Sequence, residues 1–150
     1  GQNYILSTQG DIRCFECCGA SVVSYKPKQY RGRVFHTNHP LVNLDKTDVF
    51  AEIKVKKTKN SVARLNSISD RLGDTSRLVS IGDIKAALSA HDDPDNPVSR
   101  TINSDNIGNS IGYTAASAIY ELGLKPRLHL ASGPPCETEF ETFDFKDINQ

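Results

Sequence analysis

The chain has 150 residues, enough for one domain with a hydrophobic core, and its shares of apolar (37%) and charged (24%) residues are ordinary for a globular protein. Lysine plus arginine equals aspartate plus glutamate, 18 of each, and no stretch reaches the roughly 18 apolar residues of a membrane span. We therefore expect a single domain over residues 1–150, with neither a nucleic acid nor a membrane as partner.

The first third of the sequence predicts strands. Three apolar-rich stretches, separated by turn residues at Gly10 and Gly19, predict a strand followed by a hairpin: 2–8, 12–18 and 21–25. A loop (26–32) leads to "RVFHT", residues 33–37, which predicts a fourth strand. Residues 40–60 are polar and of mixed charge, and they predict an irregular segment.

Two helices are predicted next. In residues 60–74 the apolar side chains fall on one helical face, with Asn60 or Ser61 able to cap the start and Gly73 able to end the helix. In residues 80–92, Ser80 and Asp83 have the spacing of a capping box.

The rest of the chain predicts a long loop (91–110) and then strands within 113–122, 127–133 and 140–145. Strands, two helices and strands again, in this order, are typical of an α+β fold. We expect an antiparallel sheet with the helices packed on one face.

Residues 36–39 place two imidazoles, a hydroxyl and an amide side by side, and Pro40 follows them. Such groups need partners if they are buried, so they lie on the surface or line a site. The Asn38 amide at a strand end could donate a hydrogen bond to a developing oxyanion. The alternative is an Asx-turn, in which Asn38 bonds its own backbone.

The sequence also suggests two other kinds of site, a zinc site and a cysteine nucleophile. Cys14-x-x-Cys17 and His36-x-x-His39 suggest metal ligands, but side chains three apart on a strand point to opposite faces, so we expect no metal. A cysteine nucleophile paired with a histidine base would need a position that stabilises its thiolate, such as the start of a helix. The segment "CFECC" is instead predicted to be a strand. Buried structural cysteines, with reduced thiols, are the favoured interpretation.

The segment "HTNHPLVN", residues 36–43, resembles the acyl-coenzyme A:6-aminopenicillanic acid acyltransferase-like family of cysteine-type N-terminal-nucleophile hydrolases. Other pieces follow in the order that this family uses, so the resemblance covers nearly the whole chain. They are "GDIRCFECCGASVVSY" (10–25), "NSVARLNSISDRL" (60–72), "IGDIKAALSAHD" (81–92) and "ASGPPCETEFETFDF" (131–145).

The resemblance implies a four-layer αββα sandwich that hydrolyses an amide or transfers an acyl group through a cysteinyl thioester, without a cofactor. By this resemblance Asn38 supplies an oxyanion-hole amide, while His36, Thr37 and His39 fix the turn around it. Arg64 matches the arginine of "N-S-x-x-R" and belongs near the nucleophile. Taken without the resemblance, Arg64 could equally be a surface helix residue.

The family's nucleophile is a cysteine that becomes a chain's first residue after self-cleavage, and its own amino group is the base. Residue 1 is glycine here, and Cys14, Cys17, Cys18 and Cys136 all lack the required context. Where relatives carry a cysteine and a histidine, this chain has Ser99 and Thr101, so that loop receives no role.

We therefore expect the C-terminal portion of a longer enzyme, inactive alone. Its partners would be the N-terminal portion of the same protein and a small acyl-amide or acyl-thioester substrate. A separated fragment would expose an apolar sheet face and self-associate as a homodimer. The alternative is a non-catalytic binding or scaffold domain that kept the fold without the chemistry.

Overall fold

A computed structural model describes residues 2–8, 10–18, 21–26, 32–43, 51–102 and 112–145. The chain divides into two compact units, Gly1–Leu78 and Val79–Gln150. Each unit carries one antiparallel three-stranded sheet and one helix, so the predicted α+β class is confirmed. That residues 1–150 form one domain stays a prediction.

The sheet of the first unit contains β1 (Gln2–Thr8), β2 (Asp11–Cys18) and β3 (Ser21–Tyr25), paired in that order. The predicted strand and hairpin are therefore confirmed. Gly10 has φ +97°, a conformation that side-chain-bearing residues rarely adopt, and it lets the chain reverse between β1 and β2. The turn predicted at Gly19 lies outside the described residues.

The two faces of this sheet differ in their surroundings. On one face Asn3, Glu16 and Val23 lie directly opposite one another across the three strands, and Glu16 is only 1% exposed. On the other face Tyr4, Leu6 and Val22 are 49%, 60% and 67% exposed. An exposed apolar face of this kind was predicted, and the dimer expected from it stays a prediction.

The strand predicted at 33–37 is not present. Arg33 forms an isolated bridge, and residues 34–37 have no regular structure. The Arg33 guanidinium instead donates hydrogen bonds to the carbonyls of Leu72, Asp74 and Arg77. Leu72 ends a helix, whose last carbonyls lack intrahelical donors and carry partial negative charge, so a cation is stabilising there.

Helix α1 spans Ala51–Leu72, so the irregular segment predicted over 40–60 is wrong from residue 51 onward. This stretch is polar, but residues 51–60 include four lysines and contain neither glycine nor proline, a composition that favours a helix. Asn60 and Ser61 lie inside the helix and do not cap it. Gly73 follows its end as predicted, because a Cβ there would lie 2.3 Å from the Ser69 carbonyl oxygen.

In the second unit α2 spans Ile81–Leu88 and begins with the predicted capping box. The Ser80 hydroxyl accepts from the Asp83 N–H at 3.1 Å, and the Asp83 carboxylate accepts from the Ser80 N–H at 2.8 Å. Together the two contacts satisfy donors that a helix start otherwise leaves unpaired. The helix is shorter than the predicted 80–92.

The second sheet is an antiparallel meander of β4 (Ser117–Glu121), β5 (Arg127–Ala131) and β6 (Glu141–Asp144), each within a predicted stretch. Part of the long loop predicted before it, residues 103–111, lies outside the described residues. The closest packing between elements joins neighbouring strands of the same sheet. Neither helix, over the residues that are described, has the long apolar stretch that crossing a membrane requires.

Candidate functional site

The candidate site in the first unit is built around the buried carboxylate of Glu16 on β2. Its two oxygens accept the backbone N–H groups of three consecutive residues: Leu41 at 2.6 Å, Val42 at 2.9 Å and Asn43 at 2.6 Å. His36 Nε2 lies 3.1 Å from the same carboxylate. One side chain therefore fixes both ends of the segment 36–43.

These contacts decide the charge of Glu16. Burial alone would raise the pKa of this carboxyl group, but the N–H groups of Asn43, Leu41 and Val42, together with His36, lower the pKa to about 2. Burial and the nearby Glu16 charge raise the pKa of Tyr25, whose hydroxyl donates to Glu16 at 3.2 Å. Glu16 is therefore an anion held by neutral donors and an imidazole.

Two further side chains of the sheet hold the segment 36–43. Asn3, directly opposite Glu16 on β1, donates from Nδ2 to the Thr37 carbonyl at 3.0 Å. Asn43 is 3% exposed and donates from Nδ2 to the Glu16 carbonyl at 3.1 Å. The face of the sheet thus bonds this segment near its start and at its end.

Helix α1 holds the segment from the other side through Asn60, Ser61 and Arg64. At 100° per residue these positions fall within about 100° of one another around the helix axis, so they share one face. Thr37 donates from Oγ1 to the Ser61 carbonyl at 2.8 Å, and the His39 N–H donates to Ser61 Oγ at 3.0 Å. Ser61 is only 2% exposed.

His39 is held as a neutral ring. Burial lowers the pKa of His39; the electrostatic influence of His36 and Arg64 adds to this effect, and that of the Glu16 carboxylate opposes it. A neutral ring can accept at Nδ1, which lies 2.9 Å from the Ser61 hydroxyl. His36, Thr37 and His39, the three residues predicted to support the turn, are therefore all engaged in bonds that fix its shape.

Asn38 and Arg64 meet at the open side of the segment. Arg64 Nη2 donates to Asn38 Oδ1 at 2.8 Å, and Arg64 Nε donates to Asn60 Oδ1 at 3.0 Å. The two residues that the resemblance assigns to the active site are therefore in contact. The Asn38 oxygen accepts from a residue 26 positions away rather than from its own turn, which argues against the Asx-turn.

The two residues line an open groove of about 620 Å³. A volume of this size falls in the range of small-molecule sites. The other lining residues come from β1 and from the segment 36–43: Asn3, Tyr4, Ile5, His36 and Thr37. The groove offers a guanidinium and an amide, which together can stabilise negative charge.

The described residues that line this groove include no cysteine. Cys14 is buried on β2, and burial raises the pKa of its thiol, which disfavours a thiolate. Cys17 is half-buried on the opposite face of β2. Cys136, in the second unit, is exposed, and its sulfur accepts from the Ser99 hydroxyl at 3.1 Å. The Cys18 side chain lies outside the described part of the chain.

Within the described residues, no three His, Cys, Asp or Glu side chains form a group that could hold a metal ion. Cys14 and Cys17 lie on a strand, where their side chains point to opposite faces, as the prediction assumed. His36 and His39 do not lie on a strand, so the argument from alternating strand faces does not apply to this pair. They are instead engaged by Glu16 and Ser61.

Acid is expected to destabilise the first unit through Glu16. The unfolded carboxyl group titrates near 4.5 and the folded one at about 2, so the unfolded state binds more protons between these values. Stability should be full above about pH 5 and should fall by on the order of 3 kcal/mol as the pH drops toward 2. His39, with its lowered pKa, acts in the same direction at higher pH.

Urea unfolding followed by circular dichroism, at several pH values between about 7 and 3, measures this dependence. The variant Glu16→Gln should lose most of the acid-dependent slope below about pH 5, because the titrating group is gone. An unchanged slope in that variant would show that other carboxyl groups cause the acid sensitivity.

Nothing in the residue pattern singles out Glu16 as a site residue. Glu16 stands in the strand segment "CFECC", and a glutamate in a strand is ordinarily exposed to solvent. The available signal was the position of the residue in the strand. Glu16 and Cys14 are two residues apart and point to the same face, whereas Phe15 points to the opposite face.

Compared with known protein families, curated proteins and solved structures, the chain matches none of them.

Proposed function

We propose that this chain is the C-terminal part of a cysteine N-terminal-nucleophile amidohydrolase or acyltransferase. The observation that carries the proposal is the Asn38 amide at the groove, with its oxygen held by Arg64 at 2.8 Å. The motif resemblance assigned these two residues to one active site, and they are in contact. The parent enzyme would be an αββα sandwich to which this chain contributes strands and outer helices.

The contact between Arg64 and Asn38 has a chemical consequence. Because the amide oxygen accepts from the guanidinium, the N–H bonds of Asn38 are its remaining hydrogen-bonding groups at the groove wall. A pre-oriented N–H donor stabilises the oxyanion that forms when a nucleophile attacks a carbonyl carbon. The nearby Arg64 guanidinium adds to this stabilisation.

The nucleophile is proposed to come from outside these residues, on an N-terminal cysteine whose amino group takes the thiol proton. The thiolate attacks the substrate carbonyl, and the oxyanion forms beside Asn38. The amine leaves with a proton as the carbonyl reforms, which gives a cysteinyl thioester. Water then yields the acid, or an acceptor amine yields a new amide, and the thiol is regenerated.

The isolated 150-residue chain should therefore be catalytically silent, since an oxyanion donor has nothing to stabilise until a nucleophile attacks. The test incubates the purified chain and the full-length protein with a panel of amide and thioester substrates and follows acyl release. We expect release only from the full-length protein, abolished by iodoacetamide.

Thiol-dependent release from the isolated chain would show that a cysteine within it is the nucleophile. If the full-length protein also releases nothing and exposes no N-terminal cysteine, the scaffold alternative replaces the enzyme.

A further inference from the structure

A hydroxyl, an imidazole and a carboxylate form a hydrogen-bonded row on one face of the second sheet. His129 on β5 lies directly opposite Thr142 on β6, and its Nδ1 is 2.9 Å from Thr142 Oγ1. On the other side of the ring, Nε2 lies 3.4 Å from Oε2 of Glu121 on β4. The three groups come from three neighbouring strands, so the pairing of the sheet fixes their spacing.

The charge of Glu121 decides the tautomer of His129. Arg127 Nη2 lies 3.0 Å from Glu121 Oε1 and 2.8 Å from Oε2, and the bonds from Arg127 and His129 hold the pKa of this carboxyl group below its ordinary value. An ionised carboxylate can only accept, so the neutral imidazole carries its proton on Nε2. Nδ1 is then the acceptor, and the Thr142 hydroxyl donates its proton to it.

Burial holds the imidazole in place and leaves the hydroxyl accessible. His129 is only 4% exposed, and by strand alternation it shares its face with buried Ile119 and Ala131. Thr142 is exposed on β6, which among the described strands pairs only with β5. A hydroxyl within hydrogen-bond reach of a base, which a third group orients, is the arrangement that activates an oxygen nucleophile.

We propose that Thr142 is an acylation site, whose hydroxyl takes an acyl group from an oxygen ester with an acidic leaving group. Thr142 Oγ1 bonds to the ester carbonyl carbon while His129 Nδ1 takes the hydroxyl proton. The bond from that carbon to the leaving oxygen then breaks, and the leaving group departs with the electron pair. The imidazolium, which faces the Glu121 carboxylate, returns its proton to the leaving group or to water. The products are a threonyl ester and the free leaving group.

The class of acyl donor follows from what the row supplies. It supplies a base and a carboxylate that stabilises the imidazolium, and neither of these binds the carbonyl oxyanion. The donor must therefore carry a leaving group that departs readily as an anion, such as a phenolate. The leaving groups of amides and thioesters are poorer. The acylation does not rest on the proposed function, because it uses no thiol and consumes one acyl group per chain.

The test uses the 150-residue chain, with its thiols first alkylated by iodoacetamide, and p-nitrophenyl acetate as the acyl donor. We expect a burst of about one equivalent of nitrophenolate per chain and a mass increase of one acetyl group. Tandem mass spectrometry should place that acetyl group on Thr142. Alkylation removes Cys136, an exposed thiol that would otherwise compete for the ester.

Four variants separate the roles of the three groups. Thr142→Val keeps the shape of the side chain without the hydroxyl and should lose the burst, whereas Ser132→Ala, at an exposed serine of the same unit, should keep it. His129→Gln should slow acylation by about 10² or more, because the base is lost. Glu121 is a positioning residue. Glu121→Leu should slow acylation at least about tenfold.

A fifth variant, Glu121→Gln, distinguishes positioning from a merely structural role. Its amide oxygen can still accept from His129 Nε2, so it should restore most of the rate that Glu121→Leu loses. Circular dichroism confirms that each variant is folded. Equal rates in Glu121→Leu and in the unaltered chain would contradict the role of the carboxylate.

Acetyl groups found on other residues of the unaltered chain, and not on Thr142, would overturn the proposal, and this result does not depend on any variant folding. A burst in Thr142→Val equal to that of the unaltered chain would also overturn it. If Thr142 is acylated while the full-length protein shows no cysteine-dependent acyl release, the proposed function falls and the acylation site stands. If that release occurs and Thr142 stays unmodified, only the acylation site falls.

Discussion

Replacing Glu16 with glutamine is expected to lower the free energy of unfolding by about 2–4 kcal/mol. Glutamine keeps the shape of the side chain, but it replaces an accepting oxygen with a donating NH₂ group. That group would face the N–H groups of Leu41, Val42 and Asn43, which Glu16 now accepts at 2.6–2.9 Å. At least one buried donor would then lack a partner.

Urea unfolding at pH 7, followed by circular dichroism, measures this loss. The matched control is Glu139→Gln, which removes the same charge from an exposed position and should stay within about 0.5 kcal/mol of the unaltered protein. A Glu16→Gln variant as stable as the control would mean that the carboxylate does not hold the segment 36–43. In that case the geometry of Asn38 would need another explanation.

Replacing Asn38 with alanine in the full-length protein is expected to reduce turnover by about 10²–10³, because the proposed oxyanion donor is removed. Stability should change little, since Asn38 is exposed. The measurement compares steady-state turnover of the unaltered and altered proteins, after confirming that both expose the proposed N-terminal cysteine. That check separates a loss of catalysis from a failure of self-cleavage.

Two further variants sharpen this test. Asn38→Asp has nearly the same shape but presents a carboxylate to the oxyanion, so it should be at least as inactive as Asn38→Ala. Asn66→Ala, an exposed asparagine of α1 outside the groove, should keep full turnover. Normal turnover in Asn38→Ala would contradict the oxyanion role, whatever the Arg64 contact suggests.

The local elements follow from the sequence alone. The alternating stretches of β1, β2 and β3 and the capping box of α2 appear where the pattern predicts them. Gly10 marks a turn for the same reason. In each of these the deciding interactions join residues close in sequence, so the residue types themselves carry the signal.

The segment 33–37 was mispredicted because local pattern competes there with contacts from distant residues. The start of α1 was misplaced for a different reason: residues 51–60 are polar, but they contain neither glycine nor proline and favour a helix. "RVFHT" has the composition of a strand, but Arg33 bonds carbonyls 39 or more residues away, at and beyond the end of α1. Asn60 and Ser61 have the composition of a helix cap, but they bond Arg64 and His39 from inside the helix. Propensity is a weak prior where such contacts exist.

The candidate site also combines features that can be predicted from the sequence with features that only the tertiary structure decides. Its residue types were readable from the sequence: the spacing of Asn60, Ser61 and Arg64 places them on one helix face, and residues 36–39 needed partners. Which partners they have was decided by the tertiary structure. Glu16 bonds backbone N–H groups 25 to 27 residues away, and a backbone N–H has no residue signature. A buried carboxylate therefore reads as an ordinary surface glutamate until the chain folds around it.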